Sequence, residues 1–415
     1  MKDMIQKCTH KNLMETIHTV YDANVPLMVW GAPGIGKSTV IRQEAEKIAG
    51  KEGRTFVDWN TLPEERRRGL ASSSSNKEVF IYCDVRLSQY DPSDWAIPWA
   101  NDDSMVWMAS SVLKAFSRPD AKGIFFLDEL PQAIPAVQNA AYQIILDRGY
   151  KDVSFPDIRV IAAGNRASDG GSQYAFAPAL ANRLMHIELD TPAGDIWVKD
   201  WASKNGINPY ICAFIMHDPS QLYETSGRTE NRRFAWPSPR SWEGASKLLN
   251  TLGIPDVKHI DGWTEQAQNM LYISVGRASA IDFVSFMEVM HDINLEEVLK
   301  KPETINHMNI DQQLGVMALF ESFLQSSRKK DDADGDKKFG RYVAGIKAGL
   351  GMHDAIERKE FRQFVIRAIN NTRRGPGDIS AVLRMHGKEG KDLSDKYVSI
   401  FVAYAEANVK AGFAN

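Results

Sequence analysis

G-A-P-G-I-G-K-S, residues 31 to 38, is the stretch from which the rest of the chain is read. It satisfies the phosphate-binding pattern G-x-x-x-x-G-K followed by Ser or Thr at every fixed position. An apolar run, Val25 to Trp30, precedes it, and Thr39 to Ile48 follows with Val40, Ile41, Ala45 and Ile48 at helical spacing. The pattern predicts a buried strand, a tight turn and a helix, which is the context the motif needs. Glycines let the backbone curl so that successive N–H groups face phosphate oxygens, and the helix N-terminus adds partial positive charge. Gly31, Pro33, Gly34, Ile35, Gly36, Lys37, Ser38 and Thr39 are therefore the expected nucleotide cradle. Lys37 would reach the β- and γ-phosphates and Ser38 would hold Mg²⁺ through its hydroxyl.

A second landmark lies at G-I-F-F-L-D-E-L, residues 123 to 130. Four apolar residues predict a buried strand whose C-terminal end presents Asp128 and Glu129, the end at which open α/β sheets bind ligands. Asp128 suits the metal and Glu129 suits activation of the attacking water. An apolar run ending in two acids is a weak signal by itself. It gains weight 91 positions after Lys37. A further short strand, Arg159 to Ala163, ends at Gly164-Asn165, which places the Asn165 amide where it could orient water. Arg183 sits at the junction of a helical turn and a last strand within residues 178 to 189, where a surface salt bridge is the default reading.

Composition sets wide limits. The 415 residues exceed one typical domain, and 43% hydrophobic with 25% charged residues is ordinary for a globular protein. A net charge of −3 gives no global basic field of the kind that draws nucleic acid. Cys8, Cys83 and Cys212 are scattered, which excludes a disulfide framework or a Cys-based zinc site and points to a reducing compartment. The N-terminus lacks a signal-peptide core, and no apolar run approaches the ~18 residues of a membrane span, so a cytoplasmic location without membrane partners is expected.

Outside the landmarks, Leu13, Met14, Ile17 and Val20 share a face of an N-terminal helix. Residues 51 to 75 read as an exposed, mobile loop with Arg66, Arg67 and Arg68, either a solvated insertion or a contact for a partner or nucleic acid. Residues 79 to 87 predict a strand. The stretch 88 to 103 carries Trp95 and Trp99 in a Pro-containing acidic loop, as packing anchors or as a gripping loop. Ala136 to Leu146 predicts a helix, and 147 to 157 a hairpin. After Thr191-Pro192 the periodicity is wholly helical, with a break near Gly276, a helix opening at Ser238-Pro239-Arg240, and a mixed-charge mobile linker at 326 to 338. The expected division is 1–190, 191–298 and 299–415.

The order of these pieces resembles the AAA+ ATPases, and within them the MoxR-like branch. V-R-L-S-Q-Y-D-P-S-D-W-A-I-P is similar to that branch's insertion, F-F-L-D-E-L-P-Q-A to its Walker B region, A-A-G-N-R to its sensor 1, P-A-L-A-N-R-L to its arginine-finger helix and S-P-R-S-W-E to its sensor 2. The likeness covers residues 1 to about 290. It departs at Arg166, where Pro often follows the sensor Asn, and in the long Ser-rich stretch at 51–78. The resemblance implies an α/β AAA+ core, a parallel sheet flanked by helices, followed by an α-helical lid and further C-terminal helices. It implies ATP and Mg²⁺ as cofactors, with Glu129 activating water, Asn165 as sensor, Arg183 as a finger reaching a neighbour's γ-phosphate and Arg240 as a lid contact to phosphate. It also implies a homo-oligomeric ring, most simply a hexamer, that remodels a protein partner, often beside a protein with a von Willebrand factor A domain. A nucleic-acid motor of the McrB-like kind is the alternative, drawing on Arg66 to Arg68 and on Arg228, Arg232 and Arg233.

Overall fold

The computed structural model describes residues 5–101, 104–166, 169, 174, 176–223, 235–253, 265–291, 293–333, 340–370, 376–385 and 387–410. The chain divides into two compact units, Met1–Pro192 and Ala193–Asn415.

The first unit runs β1 (Lys7–Cys8), α1 (His10–Ala23), β2 (Leu27–Trp30), α2 (Lys37–Lys51), β3 (Thr55–Asp58), α3 (Glu64–Ser72), β4 (Val79–Arg86), β5 (Ala96–Asn101), β6 (Ser104–Ala109), α4 (Ser111–Phe116), β7 (Lys122–Asp128), α5 (Pro135–Asp147), β8 (Gly149–Tyr150), β9 (Val153–Ser154), β10 (Ile158–Gly164), α6 (Pro178–Ala181) and β11 (Met185–Leu189). Seven strands form one sheet in the order β1-β11-β2-β10-β7-β4-β3, every neighbouring pair parallel. A parallel sheet needs helical crossovers and so is covered on both faces, which explains why its strands are near-continuous apolar runs. Successive side chains still alternate between faces. Along β4, Val79, Ile81, Cys83 and Val85 join the same buried cluster as Phe125 and Leu127 of β7. Phe80 and Tyr82 turn the other way, Phe80 against Tyr21 of α1 and Tyr82 against Phe126. β2 sits between β11 and β10, so the turn that leaves it opens centrally, at the C-terminal edge of the sheet.

Residues 51 to 75 are not the loop expected from their composition. T-F-V-D forms β3, paired residue for residue with β4, and Glu64–Ser72 is helical. Leu70 and Ala71 are buried, and the buried Asn76 amide ties the carbonyls of Leu70 and Ala115 together. Of the arginines there, Arg67 is engaged by the unit, while Arg66 and Arg68 stay at the surface. Arg67 stacks over Trp59 and donates to the carbonyls of Trp59 and Asn60, and Arg68 pairs with Glu64, while Arg66 is exposed. The two tryptophans of the 88–103 stretch part company. Trp95 is fully buried against Tyr90 and Phe125, so it is an anchor and is removed as a substrate contact. Trp99 is 55% exposed on the β5–β6 hairpin.

The second unit is helical: α7 (Gly194–Asp200), α8 (Pro209–His217), α9 (Pro239–Thr251), α10 (Glu265–Val275), α11 (Arg277–His291), α12 (Leu295–Lys300), α13 (Ile310–Ala333), α14 (Gly340–Ala355), α15 (Lys359–Asn370), α16 (Pro376–Arg384) and α17 (Gly387–Lys410). Its buried apolar cluster runs from Trp197 to Tyr397. Ser238 and Ser241 close a capping box with Pro239 in the first turn, so α9 starts where its sequence predicts. Gly276 breaks the helical run at φ +83°, where a Cβ would lie 2.6 Å from the Ala235 carbonyl oxygen. The first half of the expected linker is helix instead: α13 continues through the charged run to Ala333. Arg228, Arg232 and Arg233 lie outside the described residues.

Candidate nucleotide site

The turn from β2 to α2 is built by its glycines. Gly36, the residue capping α2, has φ +99°, a left-handed conformation that side chains resist. A Cβ on Gly31 would lie 2.8 Å from the Leu189 carbonyl oxygen, so β11 can approach the turn only because position 31 has none. Ile35 is buried, and its carbonyl lies 2.8 Å from Nε2 of His10 in α1, which props the turn from behind. Pro33 and Gly34 are half-buried and Thr39 is exposed in the first turn of α2.

Lys37 is 8% exposed, and its ammonium donates to the carbonyls of Gly31 at 2.8 Å and Ala32 at 2.9 Å and to Oδ1 of Asn165 at 2.9 Å. Residues 128 positions apart thus meet at the ends of adjacent β2 and β10. Ser38 donates to Oδ2 of Asp128 at 2.9 Å. The other oxygen, Oδ1, accepts the N–H of Glu129 at 2.9 Å. Glu129 takes a left-handed backbone, φ +57°, as the chain leaves β7, and its carboxylate accepts from the Ser88 hydroxyl beyond the end of β4. With the Gln132 amide oriented to satisfy both its ends, Nε2 donates to the Glu129 carbonyl and Oε1 accepts the Asn165 N–H, each at 3.1 Å. One network therefore joins Lys37, Asn165, Gln132, Glu129, Asp128 and Ser38.

The acidic side of this network is crowded. Asp84 on β4 has one buried carboxylate oxygen without a hydrogen-bond partner. Burial first, and the charge of Asp128 second, push its carboxyl up to about 7. Asp58, at the end of β3, is paired with Arg42 at 2.9 Å.

Two further arginines are expected to serve phosphate, Arg183 and Arg240. Arg183 donates to the Ala179 carbonyl at 2.9 Å and lies over the Tyr142 ring, 4.6 Å from its centroid. Arg240 is an exposed residue in the first turn of α9, in the second unit. Arg166, where the resemblance departs, is paired with Asp169 and Glu188. His10, Ser88, Gln132 and Asp84 are site neighbours that sequence reasoning passed over. Asp84 alone left a trace, as an acid inside an apolar strand run.

Ser38 and Asp128 offer a hydroxyl and a carboxylate oxygen, the hard donors that Mg²⁺ prefers, so these residues fit the ion. Among the described residues no group of three His, Cys, Asp or Glu could cage a metal. Also among the described residues, no helix is long and apolar enough to cross a membrane.

No protein-family model and no curated protein matches the chain. Among solved structures it is similar to NtrX from Brucella abortus in complex with ATP, at 15% identity over 80% of this chain and 66% of that one, with a TM-score of 0.33. A point mutant of RuvB from Thermotoga maritima aligns at 13% identity over 82% of this chain and 86% of that one, with a TM-score of 0.29. The chain thus spans about two thirds of the NtrX chain. The fold assignment rests on the strand order and the phosphate loop: an α/β core with a parallel sheet, followed by helices.

Proposed function

We propose that this chain is an AAA+ ATPase of the MoxR-like type, which hydrolyses ATP in a homo-oligomeric ring to remodel or activate a protein partner. The observation that carries the nucleotide reading is the meeting of Lys37 with Asn165 and of Ser38 with Asp128, each at 2.9 Å, beside Glu129. A chance glycine-rich turn has no reason to collect a sensor amide and an acidic strand end.

In this reading Lys37 exchanges a carbonyl for a phosphate oxygen, and the N–H groups of residues 34 to 39 line the phosphates. Ser38 and Asp128 would hold Mg²⁺, which supplies charge stabilisation for the leaving phosphate oxygens when bound. Asn165 orients the attacking water. Glu129 takes that water's proton as its oxygen bonds to the γ-phosphorus, the bond from the γ-phosphorus to the bridging oxygen breaks, and ADP and phosphate leave. Arg183 serves the site of the adjoining subunit, a head-to-tail contact that closes into a ring, most simply a hexamer. Arg240 is the proposed phosphate contact from a helical lid, 191–298, and residues 299–415 are a further helical region. A partner with a von Willebrand factor A domain and a cytoplasmic location belong to the same reading and rest on resemblance.

Turnover tests it. Wild type should release phosphate from ATP with Mg²⁺, at a rate per subunit that rises with protein concentration. Turnover that appears only with added DNA would favour the nucleic-acid motor instead.

A further inference from the structure

Trp30 ends β2 and is the residue immediately before Gly31. Its indole N–H donates to Nδ1 of His186 at 2.9 Å, and the two rings lie edge to edge in nearly the same plane, with centroids 6.1 Å apart. The other ring nitrogen, Nε2, lies 2.8 Å from the carbonyl of Ala181, the last residue of α6. A nitrogen that accepts from an indole N–H carries no proton, so Nε2 must be the donor: His186 is held as one tautomer by partners on both sides. Phe176, which leads into α6, meets the Trp30 ring edge-on at 5.5 Å. Trp30 therefore touches the α6 turn where it begins and, through His186, where it ends. Arg183 stands two residues beyond Ala181, its guanidinium bonded back to Ala179.

We propose that the Trp30–His186 pair is the link that sets the Arg183 turn against the phosphate loop of the same subunit. The inference rests on the reading of Arg183 as a finger for a neighbouring site. In a head-to-tail ring a subunit's phosphate loop serves its own nucleotide, while its Arg183 serves the next subunit's. A bonded chain from Trp30 through His186 to Ala181 makes the state of one site felt at the next. The pair is thus a device for cooperativity between sites, and His186 is a positioning residue that acts through Arg183.

The experiment uses the full chain, with ATP turnover measured against ATP concentration and affinity measured with a fluorescent ATP analogue. His186→Phe keeps a ring beside Trp30 and removes both hydrogen bonds. It should lower turnover about three- to tenfold, the worth of about one neutral hydrogen bond, and leave analogue affinity within about twofold. The Hill coefficient for ATP should exceed 1 in wild type and move toward 1 in the variant. His186→Gln, which can accept at Oε1 and donate at Nε2, should restore most of both. In rings mixed with Glu129→Gln subunits, an intact His186→Phe site receives an unaltered Arg183 turn from its neighbour, and turnover per intact site should recover. Should His186→Phe fail to fold, Trp30→Phe removes the same indole donor and is read the same way. Unchanged turnover, an affinity loss that accounts for the turnover loss, or no recovery in mixed rings overturns the link. If Arg183→Ala turns over like wild type, the finger reading falls and takes the link with it. If Arg183→Ala is inactive while His186→Phe is normal, only the link falls.

Discussion

Lys37→Met keeps an unbranched chain in the phosphate loop and deletes its charge, which isolates what the ammonium does. Lys37 is 8% exposed, and its ammonium donates to two loop carbonyls and to Asn165 at 2.8 to 2.9 Å. A hydrogen bond to a charged group nets about 1.5–3 kcal/mol, so losing the one made to a phosphate should weaken ATP binding about 10- to 150-fold. Melting curves with and without ATP and Mg²⁺ read this directly. With ATP at about 100 times the wild-type Kd, binding adds about 2.7 kcal/mol, whereas a 100-fold weaker site keeps only about 0.4 kcal/mol. A unit of this size gains about 2–4 °C per kcal/mol, so the ATP-induced rise in Tm should shrink from about 5–11 °C to about 1–2 °C. Far-UV circular dichroism of Lys37→Met without nucleotide should match wild type. A variant that folds and keeps the full ATP-induced rise would refute the placement of Lys37 on phosphate.

Three further outcomes are expected. The Asp84 carboxyl, raised to about 7, binds its proton more tightly folded than unfolded, so folding loses stability as pH rises from about 4 through 7. Asp84→Asn removes that loss. Allowing for screening at this partly exposed group, it should stabilise the nucleotide-free protein by about 1–2 kcal/mol at pH 8 and by less at pH 5, measured by urea denaturation; an equal effect at both pH values would show that the ionised carboxyl is not the cause. Arg183→Ala subunits mixed with Glu129→Gln subunits should regain turnover that neither has alone, since an arginine finger is worth about 10³-fold or more; well-formed mixed rings without recovery would count against a finger acting in trans. Ser88→Ala frees a Glu129 oxygen now held by the Ser88 hydroxyl. It should change turnover by about tenfold or less with ATP affinity unchanged, and a loss of affinity would instead tie Ser88 to nucleotide binding.

Much of the core could be read because its signals are local. The phosphate loop, the apolar strand ending in Asp128, and the strand ending before Asn165 each announce themselves within ten residues. What was illegible depends on partners distant in sequence. T-F-V-D is too short and too polar to declare itself a strand, and it becomes one by pairing with β4. R-R-R-G-L-A-S is made mostly of good helix formers, but its charge, Gly69 and the serine run after it hide any apolar stripe, and α3 is held by burial of Leu70 and Ala71 and by Asn76. Trp95 and Trp99 read alike in sequence. The hairpin buries the first against Phe125 and leaves the second exposed. His10, Ser88 and Gln132 reach the site through space, from a helix, a turn after β4 and a turn after β7, so no spacing rule points to them.

The central claim is that Lys37, Ser38, Asp128, Glu129 and Asn165 form one site that hydrolyses ATP. Phosphate release by Glu129→Gln at saturating ATP and Mg²⁺, measured beside its ATP affinity, tests it most directly. Release should fall about 100-fold or more, the usual worth of a general base, while affinity stays within about threefold. Wild-type release by Glu129→Gln would contradict the account.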